Sequence, residues 1–457
     1  MRVRFAPTPG GPLFVGAARI AVANALFARR HGGEMLLRLD DLNPARCPPA
    51  AAEQIIQDLQ WLGIGWDRCI RQSERAPLYE AAIALLKEQG RLYPCFESDE
   101  ELRAKQEQRR KRGQPPLYDR AMLSLTPAQR AAAEAGGKRP YWRLRLSSRV
   151  LSWRDMILGD RQAKLPAISD PVLVRADGMP VAALASVVDD IDTGITHIIR
   201  SEDNAASTAI QIELFEILTG RPPGVRFAHI PALPETAGTR PGHRVGIQPL
   251  RALRADGVEP CALLACITGT EVAPAPDSVA RDSVAPDAGA RDTAHVLDML
   301  ARSVDPARIA ASPFDAARLL AANRRALGGL DFAAVADRLP SGATERFWLA
   351  VRGSLDLLKE ARGWWDVVAG TIVPPVIEGE HALLTAAAAL LPPEPWDDTI
   401  WPRWVANVGE AAGRAEAGVA LPLRLALTGE ETGPDLGALL PLIGRARAGD
   451  RLRIAAA

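Results

Sequence analysis

Two hydrophobic rhythms alternate along the first hundred positions. "VRFAP" is a short, almost unbroken apolar run of strand type, and "AARIAVANALFARRH" repeats its apolar residues at helical spacing. "EMLLRLDDL" predicts a second strand, and "AAEQIIQDLQWLG" an amphipathic helix stopped at Gly63. Strand, helix, strand in this order implies a βαβ unit with parallel strands. Further on, "YWRLRLSSRVLSWRDMILGDRQ" alternates like antiparallel strands, which predicts an insertion with its own small sheet. From Asp170 to Gly220 strand and helix signals alternate again, so the first domain resumes there. Glu271 to Ala294 is low in complexity, repeats DSVA, and reads as a linker rather than a packed element. Beyond it the pattern is helical and rich in alanine, leucine and arginine. Five tryptophans between Trp364 and Trp404 are expected to anchor its core.

Composition narrows the class. A chain of 457 residues, 47% hydrophobic and 24% charged, has material for three or four packed units. No apolar run approaches the ~20 residues of a membrane span. The N-terminus reads as a strand rather than a signal peptide, so a cytoplasmic protein without membrane contact is expected. Five scattered cysteines include no CxxC pair, which argues against a disulfide framework and against structural zinc. Fifty-five basic residues balance fifty-five acidic ones, so binding to a polyanion must use local patches. The basic stretch from Asp99 to Arg120 (Arg103, Lys105, Arg109, Arg110, Lys111, Arg112) fits a solvated helix face and a polyanion patch equally well.

The segment "PTPGGPLFVGAAR", Pro7 to Arg19, looks like a mononucleotide-binding turn that opens a helix. Phe14 stands in it where a polar, proton-bearing side chain is expected just before Gly16.

Together with "GGEMLLRLDDLNPAR", "DLQWLGIGWD", "QSERAPLYEAA" and "SDPVLVRADGMPVAALASVVDDIDTGITHIIRSED", this opening resembles the bacterial glutamyl-tRNA synthetases, class I enzymes. "LPLRLALTGEETGPDLGALLPLIGR" resembles the end of their anticodon-binding domain, so the likeness covers nearly the whole chain. It implies a Rossmann-like α/β catalytic domain with an inserted α/β acceptor-stem-binding domain, followed by an all-α anticodon-binding region. The expected boundaries are 1–92 and 169–250 for the catalytic halves and 93–168 for the insertion. A stem-contact segment with the linker follows at 251–294, and the helical region at 295–457. The implied activity is ATP-dependent activation of glutamate, with Mg2+, and its transfer to the 3′ end of tRNA(Glu), by a monomer.

The resemblance also assigns roles. In the first ATP loop, of HIGH type, Gly16 keeps the close backbone approach to phosphate but Phe14 cannot donate a hydrogen bond. The second, of KMSKS type, corresponds to "GTRPGHRVG": Arg240 and Arg244 keep charge, while His243 replaces the central lysine and Pro241 stiffens the loop. Losing one such donor typically costs ~2.7–4 kcal/mol of barrier. Arg4 and Arg200 fall where the family binds the amino acid through guanidinium forks, although a structural ion pair is the rival reading. Thr8 and Asp40 complete the implied pocket, Asp40 one methylene shorter than the family's glutamate; Ala182 and Ala183 replace its tyrosine and asparagine. Arg109, Arg110, Lys111 and Arg424 are the implied tRNA contacts. Only Cys95 remains of the cysteines that hold zinc in some members. Three functions follow: a weak or altered glutamate–tRNA ligase, a non-catalytic tRNA-binding paralogue, or a transferase using another small ligand.

Overall fold

A computed structural model describes residues 1–232, 248–270, 288–304, 309 and 314–457, with the backbone alone for 288–292. Val3 and Phe5 bury β1 (Arg2–Phe5), and the Pro- and Gly-rich turn after it leads into α1 (Val15–Arg30). β2 (Glu34–Leu39), α2 (Pro49–Trp61) and β3 (Arg68–Arg71) complete the expected βαβ pattern. β1, β2 and β3 pair in parallel, with Arg4 opposite Leu36 and Leu37 opposite Cys69. Gly63 ends α2 at φ +67°, where a Cβ would lie 2.9 Å from the Ala294 nitrogen. Only glycine fits both the turn and that approach.

α3 (Ala76–Glu88) leads to β4 (Leu92–Cys95), α4 (Asp99–Lys111), α5 (Pro127–Ala135) and β5 (Tyr141–Leu144). β6 (Val150–Asp155) and β7 (Gly159–Lys164) form a hairpin before β8 (Val172–Val174). The inserted strands do not all share one small sheet, which corrects the expectation. β4, β5 and β8 form an antiparallel sheet, but β6 joins β10 through the register pair Asp155–Phe227. Alternation announces a strand; it does not name the partner.

After β8 come α6 (Ala182–Asp192), β9 (His197–Ser201), α7 (Thr208–Thr219) and β10 (Arg226–Ile230). β9 and β10 are parallel, and Thr196 donates its backbone N–H to Arg2 O at 2.9 Å, setting β9 beside β1. The strand order therefore reverses at β1 and β9, the place where open α/β sheets bind ligands.

α8 (Leu250–Asp256), α9 (Pro260–Thr268) and α10 (Ala288–Ser303) pack on the same core as β1 and α1, through Leu253, Leu263, Val296 and Leu297. The end of the expected linker is thus helical, and Thr293 is buried; the 294/295 boundary falls inside α10. The amphipathic run after Asp292 recruits its low-complexity neighbours into the helix. The first core continues to Ala326 and takes in Leu357, while most buried residues from Leu327 to Ala456 form a separate core among helices, with Trp348 and Trp404 fully buried. Asn323 ties the two: its Nδ2 donates to Gly257 O (3.1 Å) and Asp356 O (2.7 Å). Among the described residues no helix is long and apolar enough to cross a membrane.

Candidate active site

The carboxyl ends of β1, β2, β9 and β10 open on a cavity of about 820 Å³. It is lined by Arg4, Thr8, Gly16, Asp40 and Arg200 of the expected site, together with Phe14, Arg38, Ala182, Ala183 and Ser186. The sheet thus gathers residues separated by almost two hundred positions. Arg240, His243 and Arg244 lie outside the described residues.

On one side stands the start of α1. Phe14 is its N-cap residue, extended at φ −109° and ψ 167°, and no side chain caps the helix. Its ring is 44% exposed on the cavity rim. A Cβ on Gly16 would meet nothing within 4 Å, so the open cavity rather than packing borders this glycine. The helix terminus therefore presents backbone amides and a partial positive charge, without a side-chain donor.

On the other side lies a buried ion-pair array. Asp190 Oδ1 accepts from Arg4 Nε at 3.1 Å and from Arg38 Nη1 at 2.9 Å. Arg38 also grips Asp40 with two bonds, Nε to Oδ1 at 2.6 Å and Nη2 to Oδ2 at 3.2 Å. Its Nη2 further donates to Ser186 Oγ at 3.0 Å. Burial opposes the Arg38 charge, but Asp40, Asp190 and Asp189 outweigh it and raise its pKa. Burial pushes the Asp40 carboxyl up, against the pull of Arg38 and Arg4. Arg4 is ion-paired through Nε, while neither Nη atom makes a hydrogen bond among the described residues.

Arg200 is the more conditional charge. Burial, reinforced by repulsion from Arg4, lowers its pKa to about 9. Its Nε points to His229 Nε2 (3.0 Å), and Nη2 donates to Asn204 O (3.1 Å) and Thr208 Oγ1 (2.8 Å). Asp155 Oδ2 lies 2.5 Å from His229 Nδ1. Ala182 and Ala183, in the first turn of α6, present only methyl groups to the cavity. Arg38, Asp190 and His229 escaped the sequence reading. Their signal was faint: an acidic pair inside the apolar run "ASVVDDID", and a histidine inside the strand "RFAHI".

The residues expected to meet tRNA lie elsewhere. α4 begins with a capping box between Ser98 and Glu101 and ends in Arg109, Arg110 and Lys111. Arg109 Nε donates to Pro115 O at 2.8 Å, Arg110 lies 3.8 Å from Glu107, and Lys111 is exposed. Arg424, on the helix Glu416–Thr428, is half-buried, with Nη2 donating to Pro434 O at 3.0 Å and Nη1 unpaired. Among the described residues no three His, Cys, Asp or Glu side chains converge as a metal site.

Comparison with known proteins covers the whole chain. Residues 1–275 match the family model of class I tRNA synthetases (E and Q), catalytic domain, and residues 377–456 match an anticodon binding domain. The chain is 52% identical to glutamate–tRNA ligase 2 of Granulibacter bethesdensis, over 99% of this chain and 98% of that protein. It is 50% identical to glutamate–tRNA ligase 2 of Gluconacetobacter diazotrophicus, over 100% of both chains. A crystal structure of a glutamate tRNA ligase from Elizabethkingia meningosepticum superposes with a TM-score of 0.76 at 24% identity, over 100% of this chain and 99% of that one. That likeness establishes the fold.

Proposed function

The chain belongs to the glutamate–tRNA ligase family of class I tRNA synthetases, and from that premise we propose that it activates glutamate with ATP slowly and passes it to tRNA(Glu). Activation joins the glutamate α-carboxylate to the α-phosphorus of ATP and releases pyrophosphate. Transfer then moves the glutamyl group to a hydroxyl at the tRNA 3′ end.

One observation carries the reading. Arg4 and Arg200 are almost fully buried, yet each keeps N–H groups unbonded beside a shared cavity. A buried cation with spare donors is costly unless an anion completes it. Glutamate supplies two carboxylates, and guanidinium forks match them. ATP then takes the side of Gly16 and the start of α1, where amides suit phosphate. Phe14 offers the transition state no hydrogen bond, which accounts for the slow first step. The second ATP loop, with Arg240, His243 and Arg244, acts on the same phosphates in this reading. Arg109, Arg110 and Lys111 meet the tRNA backbone, while Arg424, half-buried and bonded to Pro434 O, supports the helical region rather than touching phosphate. In this reading the protein works as a monomer in the cytoplasm.

ATP–pyrophosphate exchange with glutamate, with and without tRNA, tests this. Slow glutamate-dependent exchange is expected. A protein that neither exchanges nor binds glutamate overturns the reading and leaves a tRNA-binding paralogue.

A further inference from the structure

We propose that His229, oriented by Asp155, is a positioning residue that holds the Arg200 guanidinium ready for a ligand carboxylate. The inference rests on the reading of Arg200 as a ligand-binding residue. The three side chains come from neighbouring strands. Asp155 ends β6, His229 lies in β10, and Arg200 is its register partner in β9. Asp155 and His229 are 2% and 1% exposed.

Hydrogen-bond polarity fixes the arrangement. A guanidinium N–H can only donate, so His229 Nε2, 3.0 Å from Arg200 Nε, must accept with its lone pair. The ring proton then sits on Nδ1 and is donated to Asp155 Oδ2 at 2.5 Å. Asp155 is itself immobilised: Oδ1 accepts from the backbone N–H of Ile157 (3.0 Å), Leu158 (2.9 Å) and His229 (3.3 Å). Burial opposes its charge, but the bonds from His229 and these amides hold its carboxyl below the ordinary range. A carboxylate fixed by amides, a ring fixed by the carboxylate and a guanidinium fixed by the ring make one chain of orientation.

That chain does more than satisfy a core histidine. Arg4 repels Arg200 across the cavity, and a free arginine would swing from this position. His229 consumes the Nε donor, while Thr208 and Asn204 consume Nη2. Nη1 is left as the unbonded edge of a side chain that lines the same cavity as Arg4. Preorganisation spares the ligand the cost of ordering a long side chain. It also links the site to the β6–β7 hairpin, since Asp155 is the residue through which β6 joins β10.

The test is glutamate binding by calorimetry, alongside KM and kcat in glutamate-dependent exchange. His229→Ala is expected to weaken glutamate binding about tenfold and to raise KM for glutamate, leaving KM for ATP and tRNA affinity unchanged. In His229→Gln the amide oxygen can accept from Arg200 Nε, so most of the affinity should return. Adding His229→Ala to Arg200→Ala should weaken binding no further. Unchanged affinity in folded His229→Ala, with loss in Arg200→Ala, overturns the positioning role. Equal losses in the Ala and Gln variants, tracking equal drops in melting temperature, also overturn it. If Arg200→Ala itself binds normally, the reading of Arg200 falls instead. Should neither His229 variant fold, Asp155→Ala decides, since it leaves the ring in place and removes the acceptor that orients it. Full glutamate affinity in folded Asp155→Ala overturns the proposal.

Discussion

The cavity at the head of the sheet and the exposed end of α4 both carry clustered basic residues, and they hold them in opposite ways. Arg4, Arg38 and Arg200 lie in the protein interior, each held by donors committed to Asp190, Asp40, His229 or Thr208. Arg110 and Lys111 stand in solvent, and Arg109 is partly covered, at a helix C-terminus where the macrodipole favours positive charge. A small ligand must be met by donors fixed to fractions of an ångström, which demands burial and mutual pairing. A polyanion needs only charge over an area. The two regions should therefore answer mutation in different currencies, fold stability for one and salt dependence for the other.

The largest effect is expected at Asp190, which accepts from both Arg4 and Arg38. Asp190→Ala leaves two buried guanidinium groups short of their acceptor. Breaking one partner of a buried ion pair costs about 3–5 kcal/mol. Urea unfolding of the purified variant measures it. A loss under about 1 kcal/mol would mean the array is not a stability element, and the contrast with α4 would collapse.

Next comes the rim of the cavity. Phe14→His restores a donor at the start of α1 and should raise glutamate-dependent ATP–pyrophosphate exchange by up to about a hundredfold, the worth of one such donor. Exchange already at the rate of an unimpaired synthetase in the unaltered protein would refute the account of Phe14.

How much of this contrast could be read beforehand differs by region. β1, α1, β2 and α2 followed from apolar periodicity and a glycine stop, because burial on one face is a local signal. The β6–β7 hairpin was legible as strands, but its attachment to β10 depends on one long-range register pair. α10 was half hidden, since low-complexity composition masked a helix that packing stabilises. In the site, Arg4 and Arg200 stood in recognisable motifs. Asp190 and Asp155 did not, because their meaning lies in contacts 152 and 74 residues away. A buried charge is functional or structural according to what it faces, and sequence spacing does not carry that.

A smaller effect is expected at Arg200 of the cavity. Arg200 loses its proton at about pH 9 in the free protein, because burial and Arg4 disfavour the charge. An anionic ligand binds the charged form. Below pH 9 Arg200 is charged and affinity should be flat. Above it, each further unit should cost up to about tenfold, as binding must first restore the proton. Glutarate, which has no amino group to titrate in that range, is the ligand for the titration. Flat affinity through pH 10 would show that Arg200 keeps its charge or does not touch the ligand.

The smallest effect on the fold should come from α4. Replacing Arg109, Arg110 and Lys111 together by glutamine removes side chains with little burial, and each change should alter stability by under about 0.5 kcal/mol. Binding to tRNA is where the loss should appear. Each phosphate contact contributes about 0.7–0.9 to the slope of log affinity against log salt, so the triple variant should flatten that slope by up to about three such steps. Arg109 also donates to Pro115 O and can be expected to contribute least. Arg424 is the internal control, because its guanidinium turns inward to Pro434 O and is shielded enough for burial to lower its pKa. Arg424→Gln should therefore cost stability and leave the salt slope nearly unchanged. Filter binding across a salt series, run beside unfolding curves for both variants, separates the cases. If Arg424→Gln flattens the slope as much as the triple variant, exposure does not decide which arginines serve the polyanion, and the division between the two regions fails at its weakest point.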